Sequence, residues 1–479
     1  MAELKVVKAR DLVGCRYRVV QRERFPDVPP TPSGLARLER YDAARSAVHA
    51  LLPTKRAVGD RGPFSRVIAG SFFATLEAMA AEATLILDAH LEWGDFEVFV
   101  DILVRIDGGY VPVIISNHRV ARPASGSSAL AVATSRLGLG TFVEVSYRMR
   151  HHSADSYALA LATRALATVG QDTGLGGVIG QDRSRCFIEP VAVFNQALSD
   201  ALAVPVPEGP RRLKECDSCR FWFDCSATLT AADDLSLLLP GERSTPYRER
   251  GINTIQQLID ANLGEPSVLA TAYRSGTVLV PRGELSAPRR DVEVDIDMEA
   301  YLDQGAYLWG LLSADGYEAF AAWTLADEAA NFAAFWAALM GHRTAARAAG
   351  LSFGAYCYSN HGENHWMLQS ARRFAGFSGV PTEEEVQDFI ASEDWIDVFA
   401  LVRAQLIGPF GLGLKVVAPE AGYSYSGDVD GEKSVQIYLT ARAGSASARA
   451  ELLAYNEDDC RANRAVREWL ARGGTALGQ

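Results

Sequence analysis

The stretch Cys216-Asp-Ser-Cys219-Arg-Phe-Trp-Phe-Asp-Cys225 brings three cysteines together in a C-x2-C-x5-C arrangement. Such close spacing favours a metal or redox site over three incidental buried thiols. Thiolates are soft ligands, and four of them suit an iron–sulfur cluster or a zinc ion. One short loop supplies only three, so the fourth ligand must come from elsewhere. Cys15, about 200 residues upstream, is placed to supply it and would tie the start of a domain to its end.

Length and charge set the broad class of the protein. The chain has 479 residues and a net charge of −12, and such a length suits about two to four domains. Overall acidity argues against indiscriminate nucleic-acid binding but allows a local basic groove. The charged N-terminus, the odd number of cysteines and the absence of an apolar run of roughly 20 residues predict a cytoplasmic protein without a membrane span.

Basic residues are concentrated near the cysteines. Arg16 and Arg18 follow Cys15, whereas Arg212 and Lys214 precede Cys216. If Cys15 and Cys216 share one metal, these two groups converge in space, and contact with nucleic-acid phosphates is then expected. A solvated basic face is the alternative interpretation.

Periodicity predicts an α/β organisation for the first half of the chain. Apolar residues at helical spacing predict a helix over residues 64–92. Residues 96–106 and 110–120 are rich in β-forming residues and flank an Asp-Gly-Gly turn, which predicts a hairpin. A further helix is predicted over residues 153–168.

Residues 1–230 resemble the RecB-type nucleases, and more specifically the iron–sulfur subgroup of the PD-(D/E)XK fold. The resemblance rests on a helix, two strands of which the first contains Asp101, and a cysteine triplet after a lone N-terminal cysteine. It implies a restriction-endonuclease-like domain that cleaves phosphodiesters with divalent metal. It also implies a structural cluster, [4Fe–4S], with four cysteine ligands: Cys15, Cys216, Cys219 and Cys225.

The second strand departs from the pattern of that family. Asp101 matches the family's aspartate, but the acid-x-Lys position falls on Asn117-His118-Arg119. An amide is a weaker metal ligand than a carboxylate, and arginine does not replace lysine near its pKa. The helix acid is either Glu77 or Glu82. We therefore expect a domain that grips DNA, with Arg119 among its contacts, more than one that cleaves it.

Residues 231–290 are predicted to form a connector. The segment from Thr245 resembles a helix-hairpin-helix unit, in which Gly251 ends one helix and Asn253 caps the next. Hairpins of this kind present backbone N–H groups to phosphates. A plain helical spacer is an equally good interpretation of so short a stretch.

Residues 291–479 begin a new pattern. Val292-Glu-Val-Asp295-Ile-Asp297-Met-Glu299 predicts a strand with clustered acids, and long helices are predicted over residues 328–349 and 382–391. Tyr455 and Asp459 lie four residues apart on a late helical stretch. A strand with Asp-x-acid followed by Tyr-x3-Asp on a late helix resembles the DEDDy-type exonucleases of the RNase H-like fold.

This second resemblance implies a site for two divalent cations, Mg2+ or Mn2+. Asp295 and Asp297 would be the first motif, with aspartate where the family usually has glutamate. Asp459 would be the last acid, and Tyr455 would orient the attacking water. The acid of the second motif is either Glu363 or Asp397.

The sequence thus predicts an α/β protein with a restriction-endonuclease-like domain, a helical hairpin connector and an RNase H-like domain. The function expected first is that of a metal-dependent exonuclease in nucleic-acid processing or repair, acting on single-stranded DNA or RNA. The alternative is a catalytically inactive nucleic-acid-binding or scaffold subunit that serves a helicase or nuclease partner.

Overall fold

The computed structural model describes residues 8–56, 63–301, 305–427 and 431–474. The chain divides into two compact units, Met1–Thr254 and Ile255–Gln479. Their boundary lies inside the predicted connector, and the division of the chain into three parts stays a prediction. Of the helices in the described ranges, none is both long enough and apolar enough to span a membrane.

The first unit combines a large mixed sheet with helices. The strands are β1 Arg66–Ile68, β2 Leu85–Trp93, β3 Phe96–Ile106, β4 Gly109–Ile115, β5 Ala121–Pro123, β6 Ala129–Ala133, β7 Val143–Val145, β8 Tyr147–Met149, β9 Leu175–Ile179 and β10 Arg185–Pro190. The helices are α1 Arg18–Arg24, α2 Pro32–Leu51, α3 Phe72–Ala80, α4 Ser153–Thr168, α5 Asn195–Ala203, α6 Trp222–Ala231 and α7 Thr245–Arg248.

Eight strands form one sheet in the order β1-β2-β3-β4-β9-β10-β6-β7, and β5 pairs separately with β8. Strands β2, β3 and β4 form an antiparallel meander. Gly108, with a φ of 91° that suits glycine, lies in the tight turn between β3 and β4. Strand β9 is parallel to β4, so the chain must cross over between them, and α4 lies in this crossover. The predicted hairpin and the predicted helix at 153–168 are both confirmed.

Both faces of this sheet are covered by apolar side chains. Leu159 and Ala162 of α4 belong to the buried cluster on one face. Ala44 and Val48 of α2 belong to a separate buried cluster that includes alternate residues of β3 and β4. The central strands therefore carry nearly continuous apolar runs, as expected for strands that are buried on two sides.

The helix predicted over residues 64–92 is wrong for most of that range. Only Phe72–Ala80 is helical, and Leu85–Trp93 is the strand β2 between β1 and β3. The consecutive residues Leu85 to Leu87 are all buried. Helical periodicity cannot distinguish such a run from a strand that is covered on both faces.

The second unit contains a smaller mixed sheet and long helices. The strands are β11 Val280–Pro281, β12 Val292–Tyr301, β13 Gly305–Leu312, β14 Tyr317–Ala321, β15 Phe353–Cys357, β16 Trp395–Asp397 and β17 Leu406–Ile407. The helices are α8 Ile255–Asp260, α9 Glu265–Ser275, α10 Glu328–Ala348, α11 Asn360–Arg373, α12 Glu383–Ile390, α13 Val398–Gln405, α14 Leu414–Glu420, α15 Gly431–Arg442 and α16 Ala446–Ala471.

Five strands form the central sheet of this unit in the order β14-β13-β12-β15-β16. Strands β12, β13 and β14 are antiparallel, whereas β12, β15 and β16 are parallel. The strand predicted around residues 292–299 and the two helices predicted at 328–349 and 382–391 are confirmed by β12, α10 and α12.

Strand β12 has an apolar face and an acidic face. Val294 and Ile296 belong to the buried cluster formed with α10. Because successive side chains of a strand point to opposite faces, the odd-numbered residues point the other way, where α16 packs on β12. Those residues include four acids: Glu293, Asp295, Asp297 and Glu299.

Buried ion pairs fix α16 on this acidic face. The Arg467 guanidinium, 2% exposed, donates to Asp295 Oδ1 at 2.7 Å and to Glu293 Oε2 at 2.6 Å. Arg464 Nε donates to Asp295 Oδ2 at 2.9 Å. The ion pairs fix the position and rotation of α16, and therefore of every side chain that this helix directs at the sheet.

Replacing Arg467 with Met should lower the free energy of unfolding of the second unit by about 3–5 kcal/mol, because Asp295 would remain buried without its cation. Arg461→Met, in an exposed pair with Glu457 on the same helix, should change it by less than about 0.5 kcal/mol. Urea titrations followed by tryptophan fluorescence measure both changes. Equal effects of the two substitutions would contradict an anchoring role for Arg467.

Candidate active site

Three carboxylates meet where α16 crosses β12. Asp297 and Glu299 lie two residues apart on the strand, and Asp459 projects from the helix. One oxygen from each lies within 4.8 Å of the others. Among the described residues, this is the group of three His, Cys, Asp or Glu side chains that satisfies that distance. Oxygen donors at this separation suit a hard divalent cation such as Mg2+ or Mn2+.

Burial makes it unfavourable for all three carboxyls to be ionised at the same time. It raises the pKa of Glu299 to about 7 and that of Asp459 to about 6. Burial and the charge of Asp459 raise the pKa of Asp297 well above its ordinary value. Desolvation and like charges both disfavour ionisation, and a bound cation would relieve both.

Glu363 is a fourth buried acid of this region. It lies in the first turn of α11, the helix that begins directly after Ser359. The φ of 75° at Ser359 turns the chain sharply between β15 and α11. Burial raises the pKa of Glu363 to about 8, with contributions from the charges of Asp397 and Glu299. Glu363 in turn raises the pKa of Asp297, so the two carboxyls interact.

Asp397, the other candidate for the second motif, has backbone partners. Its Oδ1 accepts from the Ser359 N–H at 3.1 Å and from the Ala400 N–H at 3.2 Å. It caps α13 and holds the turn that precedes α11. Asp397 thus serves the backbone of this turn, whereas Glu363 is a buried acid whose charge reaches Asp297.

The expected role of Asp295 has to be corrected. Asp295 shares the acidic face of β12, but its oxygens accept from Arg464, Arg467 and Asn463. It belongs to the anchor of α16 and not to the group of three close carboxylates. Glu299, which the sequence reasoning did not select, takes that place. The signal was present, since Asp297-Met-Glu299 repeats the Asp-x-acid spacing and carries the glutamate that Asp295-Ile-Asp297 lacks.

Asn456 orients Asp297 from the helix. Its Nδ2 donates to Asp297 Oδ2 at 2.7 Å, and its Oδ1 accepts from the Tyr317 hydroxyl at 2.7 Å. Gly310 lies opposite Asp297 on β13. A Cβ atom there would stand 1.9 Å from Asn456 Oδ1, so glycine makes room for this contact.

Asp459 retains an oxygen that could bind a cation. In the described parts of the chain, Asp459 Oδ1 is buried and has no hydrogen-bond partner. The hydroxyls of Tyr455 and Tyr425 lie close enough to this carboxyl to lower its pKa against the effect of burial. A buried, unpartnered carboxylate oxygen beside two further carboxylates fits a metal ligand.

Lys415 and Tyr425 are site residues that the sequence did not reveal. The Lys415 ammonium lies 5.0 Å from the centroid of the Tyr455 ring and 5.6 Å from that of Tyr425. Its charge opposes the rise in the pKa of both Asp459 and Glu299. Neither residue belongs to a recognisable motif, and only the fold brings them to the acids.

The structure brings the four predicted cysteines to one pocket of the first unit, which Phe221 and Trp222 also line. Burial raises the pKa of the Cys216 thiol to about 11 and also raises those of Cys15 and Cys225. Gln21, a buried residue of α1, donates to Cys225 Sγ at 3.1 Å.

The thiols are spread around this pocket. Over the described residues, no three of the four sulfur atoms lie within 4.8 Å of one another. A single tetrahedral zinc ion with bonds of about 2.3 Å would require closer sulfur atoms than this. Four thiols around an apolar pocket are a donor set that suits an iron–sulfur cluster.

Asp101 lies on β3 and has no acid opposite it on β4, whose residues Gly109–Ile115 are all uncharged; the acid near it is Asp88 of β2. Its carboxylate accepts from the Tyr41 hydroxyl and, at 2.7 Å, from the Ile115 N–H, with Arg45 at 3.9 Å. Burial raises the pKa of Asp101 to about 6. The β4 residue beside it is thus the apolar Ile115.

The other residues expected around Asp101 do not join it. Asn117 and Arg119 are exposed beyond the end of β4, and Asn117 accepts from Arg183. Glu77 and Glu82 are exposed, and Glu82 pairs with Arg105 at 2.8 Å. The family's acid cluster is not assembled by these residues.

The predicted phosphate-binding residues fall into two groups. Arg16, Arg18 and Arg212 donate to backbone carbonyls, of Ala201, Arg10 and Leu237 respectively, and so brace the chain around the cysteines. Lys214 and Arg119 are exposed. Gly251, which follows the end of α7 and has a φ of 80°, is also exposed. Exposure leaves this second group accessible to a ligand.

Residues 294–471 match a family model described as the RNase H superfamily. No curated protein and no solved structure matches the chain. The second unit therefore contains an RNase H-like domain, and the acids of β12 and α16 fall inside the matched range. Such a domain indicates a nuclease-like activity that uses divalent metal.

Asn456→Ala should weaken Mn2+ binding by about 10- to 100-fold, because partners that orient a metal ligand typically contribute that much. Glu468→Ala, a change at a partly exposed ion pair with Arg472 on the same helix, should leave the affinity unaltered. Electron paramagnetic resonance of free Mn2+ measures both. Unchanged binding in Asn456→Ala would contradict its role in orienting Asp297.

Proposed function

We propose that this protein is a divalent-metal-dependent exonuclease that acts on single-stranded DNA or RNA. The observation that carries the proposal is the convergence of Asp297, Glu299 and Asp459 within 4.8 Å, inside the RNase H-like domain. Glu363, buried beside them, supplies the fourth acid.

The proposed reaction is hydrolysis of a phosphodiester. Water adds to phosphorus and loses a proton to solvent, the bond from phosphorus to the leaving nucleoside oxygen breaks, and that oxygen takes up a proton from solvent to become a hydroxyl. Two divalent cations, when bound, would activate the water and stabilise the attacking and leaving oxygens. Asp297, Glu299, Glu363 and Asp459 would hold them.

Tyr455 is proposed to orient the attacking water. It projects from α16 one turn before Asp459. Burial raises the pKa of its hydroxyl, so it acts as a neutral hydrogen-bonding group and not as a base. Tyr425 approaches the same carboxyl and can share this task.

Asp297→Asn and Asp459→Asn should each lower the cleavage rate by about 100- to 1000-fold, since each removes a charge that holds the catalytic cations. The assay uses labelled single-stranded DNA and RNA with Mg2+ or Mn2+, and EDTA should abolish cleavage. Glu457→Gln is the matched control, because Glu457 lies on the same helix and pairs with Arg461.

Full activity of the Asp297→Asn, Asp459→Asn double variant would contradict the exonuclease. A wild-type protein that binds nucleic acid without cleaving it would favour the alternative, a scaffold for a helicase or nuclease partner. For the first unit, the residues around Asp101 favour this alternative, because they do not form the family's acid cluster.

We propose that the first unit is a restriction-endonuclease-like domain that has lost its catalytic centre. The β2–β3–β4 meander, the crossover with α4 and the parallel strand β9 support the fold. Tyr41, Arg45 and Ile115 contact Asp101, and the acid near it, Asp88, pairs with Arg45, whereas catalysis in that family would need a lysine beside the acids. Lys214, Arg119 and Gly251 are the accessible residues through which this region would contact DNA.

We also propose that Cys15, Cys216, Cys219 and Cys225 hold a structural [4Fe–4S] cluster. Two observations support a cluster over zinc: the cysteines line one pocket, and among the described residues no three of their sulfur atoms lie within 4.8 Å of one another. Such a cluster would join the segment before α1 to α6 and the loop that precedes it. These parts of the chain are about 200 residues apart in sequence, so the link restricts the unfolded chain strongly.

Anaerobically purified protein should absorb visible light and contain iron and acid-labile sulfide. Cys219→Ser should bleach it and destabilise the first unit, whereas Cys186→Ser, a change at a fully buried thiol elsewhere in that unit, should keep the colour. Colourless protein with stoichiometric zinc would overturn the iron assignment.

A further inference from the structure

Lys415 lies beside the acids but belongs to α14, whereas the acids belong to β12, α11 and α16. It lies near the start of α14, and its side chain is exposed. Its ammonium lies 5.0 Å from the Tyr455 ring centroid and 5.6 Å from that of Tyr425. Both rings belong to tyrosines that approach Asp459, so the cation is held at the same side of the site as that carboxylate.

Charge explains why a cation is needed at this place. The protein has a net charge of −12, and four carboxylates crowd the proposed centre. Two bound divalent cations would balance the four carboxylates of the centre, but an approaching polyanion still meets a protein whose overall charge is negative. A lysine at the rim would provide a favourable charge without displacing a metal ligand.

The geometry favours contact with substrate over a role confined to packing. A cation held over aromatic faces keeps its position at little conformational cost. Because the side chain is exposed, an incoming anion can reach the ammonium group. Lysine acts on phosphate as a point charge and therefore tolerates DNA and RNA alike.

We propose that Lys415 binds a non-bridging phosphate oxygen of the nucleic-acid strand that occupies the Asp297, Glu299 and Asp459 group. The inference rests on the proposed exonuclease function and adds a substrate-binding residue to it. The interaction is an ion pair, and no bond is made or broken at Lys415.

The test measures binding of the full-length protein to fluorescent oligodeoxythymidine in Ca2+ as a function of NaCl concentration. Loss of one phosphate contact on a single strand should reduce the slope of log Kd against log salt by about 0.7, which is about fivefold in Kd at about 0.1 M salt. Lys415→Met should show this change, and Lys415→Arg should restore most of the slope. Arg372→Met, at an exposed pair with Glu383, is the control and should behave as wild type.

Cleavage in Mg2+ supplies the second readout. Lys415→Met should raise KM by about the factor seen in Kd and change kcat less, because the contact already exists in the bound state. An unchanged salt slope in Lys415→Met, in a protein that still cleaves, would overturn the role of Lys415 and leave the nuclease intact. A wild-type protein that neither binds nor cleaves would overturn both.

Discussion

The docking of α16 on β12 is the constraint on which the site depends. Arg467 enters the acidic face of the strand and satisfies Asp295 and Glu293 in a setting that excludes water. Such a pair gains little net stability, yet it is costly to break, so it fixes register more than it adds strength. With α16 fixed in this register, Asp459 meets Asp297 and Glu299, and Asn456 reaches the strand through the gap above Gly310.

The same acidic face thus does two different things along its length. At one end its carboxylates are neutralised by arginines, and the chain uses them as structure. At the other end, two residues further on, the carboxylates face one another and their pKa values rise. Carboxylates that the arginines of α16 do not neutralise are available to a cation. The transition occurs between Asp295 and Asp297, where the partners on α16 change from arginine to asparagine and aspartate.

In the first unit, by contrast, the protein itself supplies the partners of the buried carboxylate of Asp101. There, Tyr41, Arg45 and a backbone N–H satisfy the carboxylate, and an apolar residue lies on the neighbouring strand. Distant parts of this unit meet instead at the four cysteines, since Cys15, the segment before α6 and α6 itself line one pocket. Three nearby arginines bind backbone carbonyls, so the basic character of this region is partly structural.

The sequence by itself determined the local features: the hairpin of β3 and β4, the helices α4, α10 and α12, the meeting of the four cysteines at one pocket, and the place of Asp297 and Asp459 in the acidic group. Short-range periodicity and ligand chemistry are sufficient for these. The sequence could not distinguish the role of Asp295 from that of Glu299, because strand alternation puts both on one face. Their partners lie on a distant helix: Arg467, for example, is 172 residues from Asp295. Lys415 and Tyr425 were equally hidden, since no local pattern marks a side chain whose role depends on what the fold places beside it.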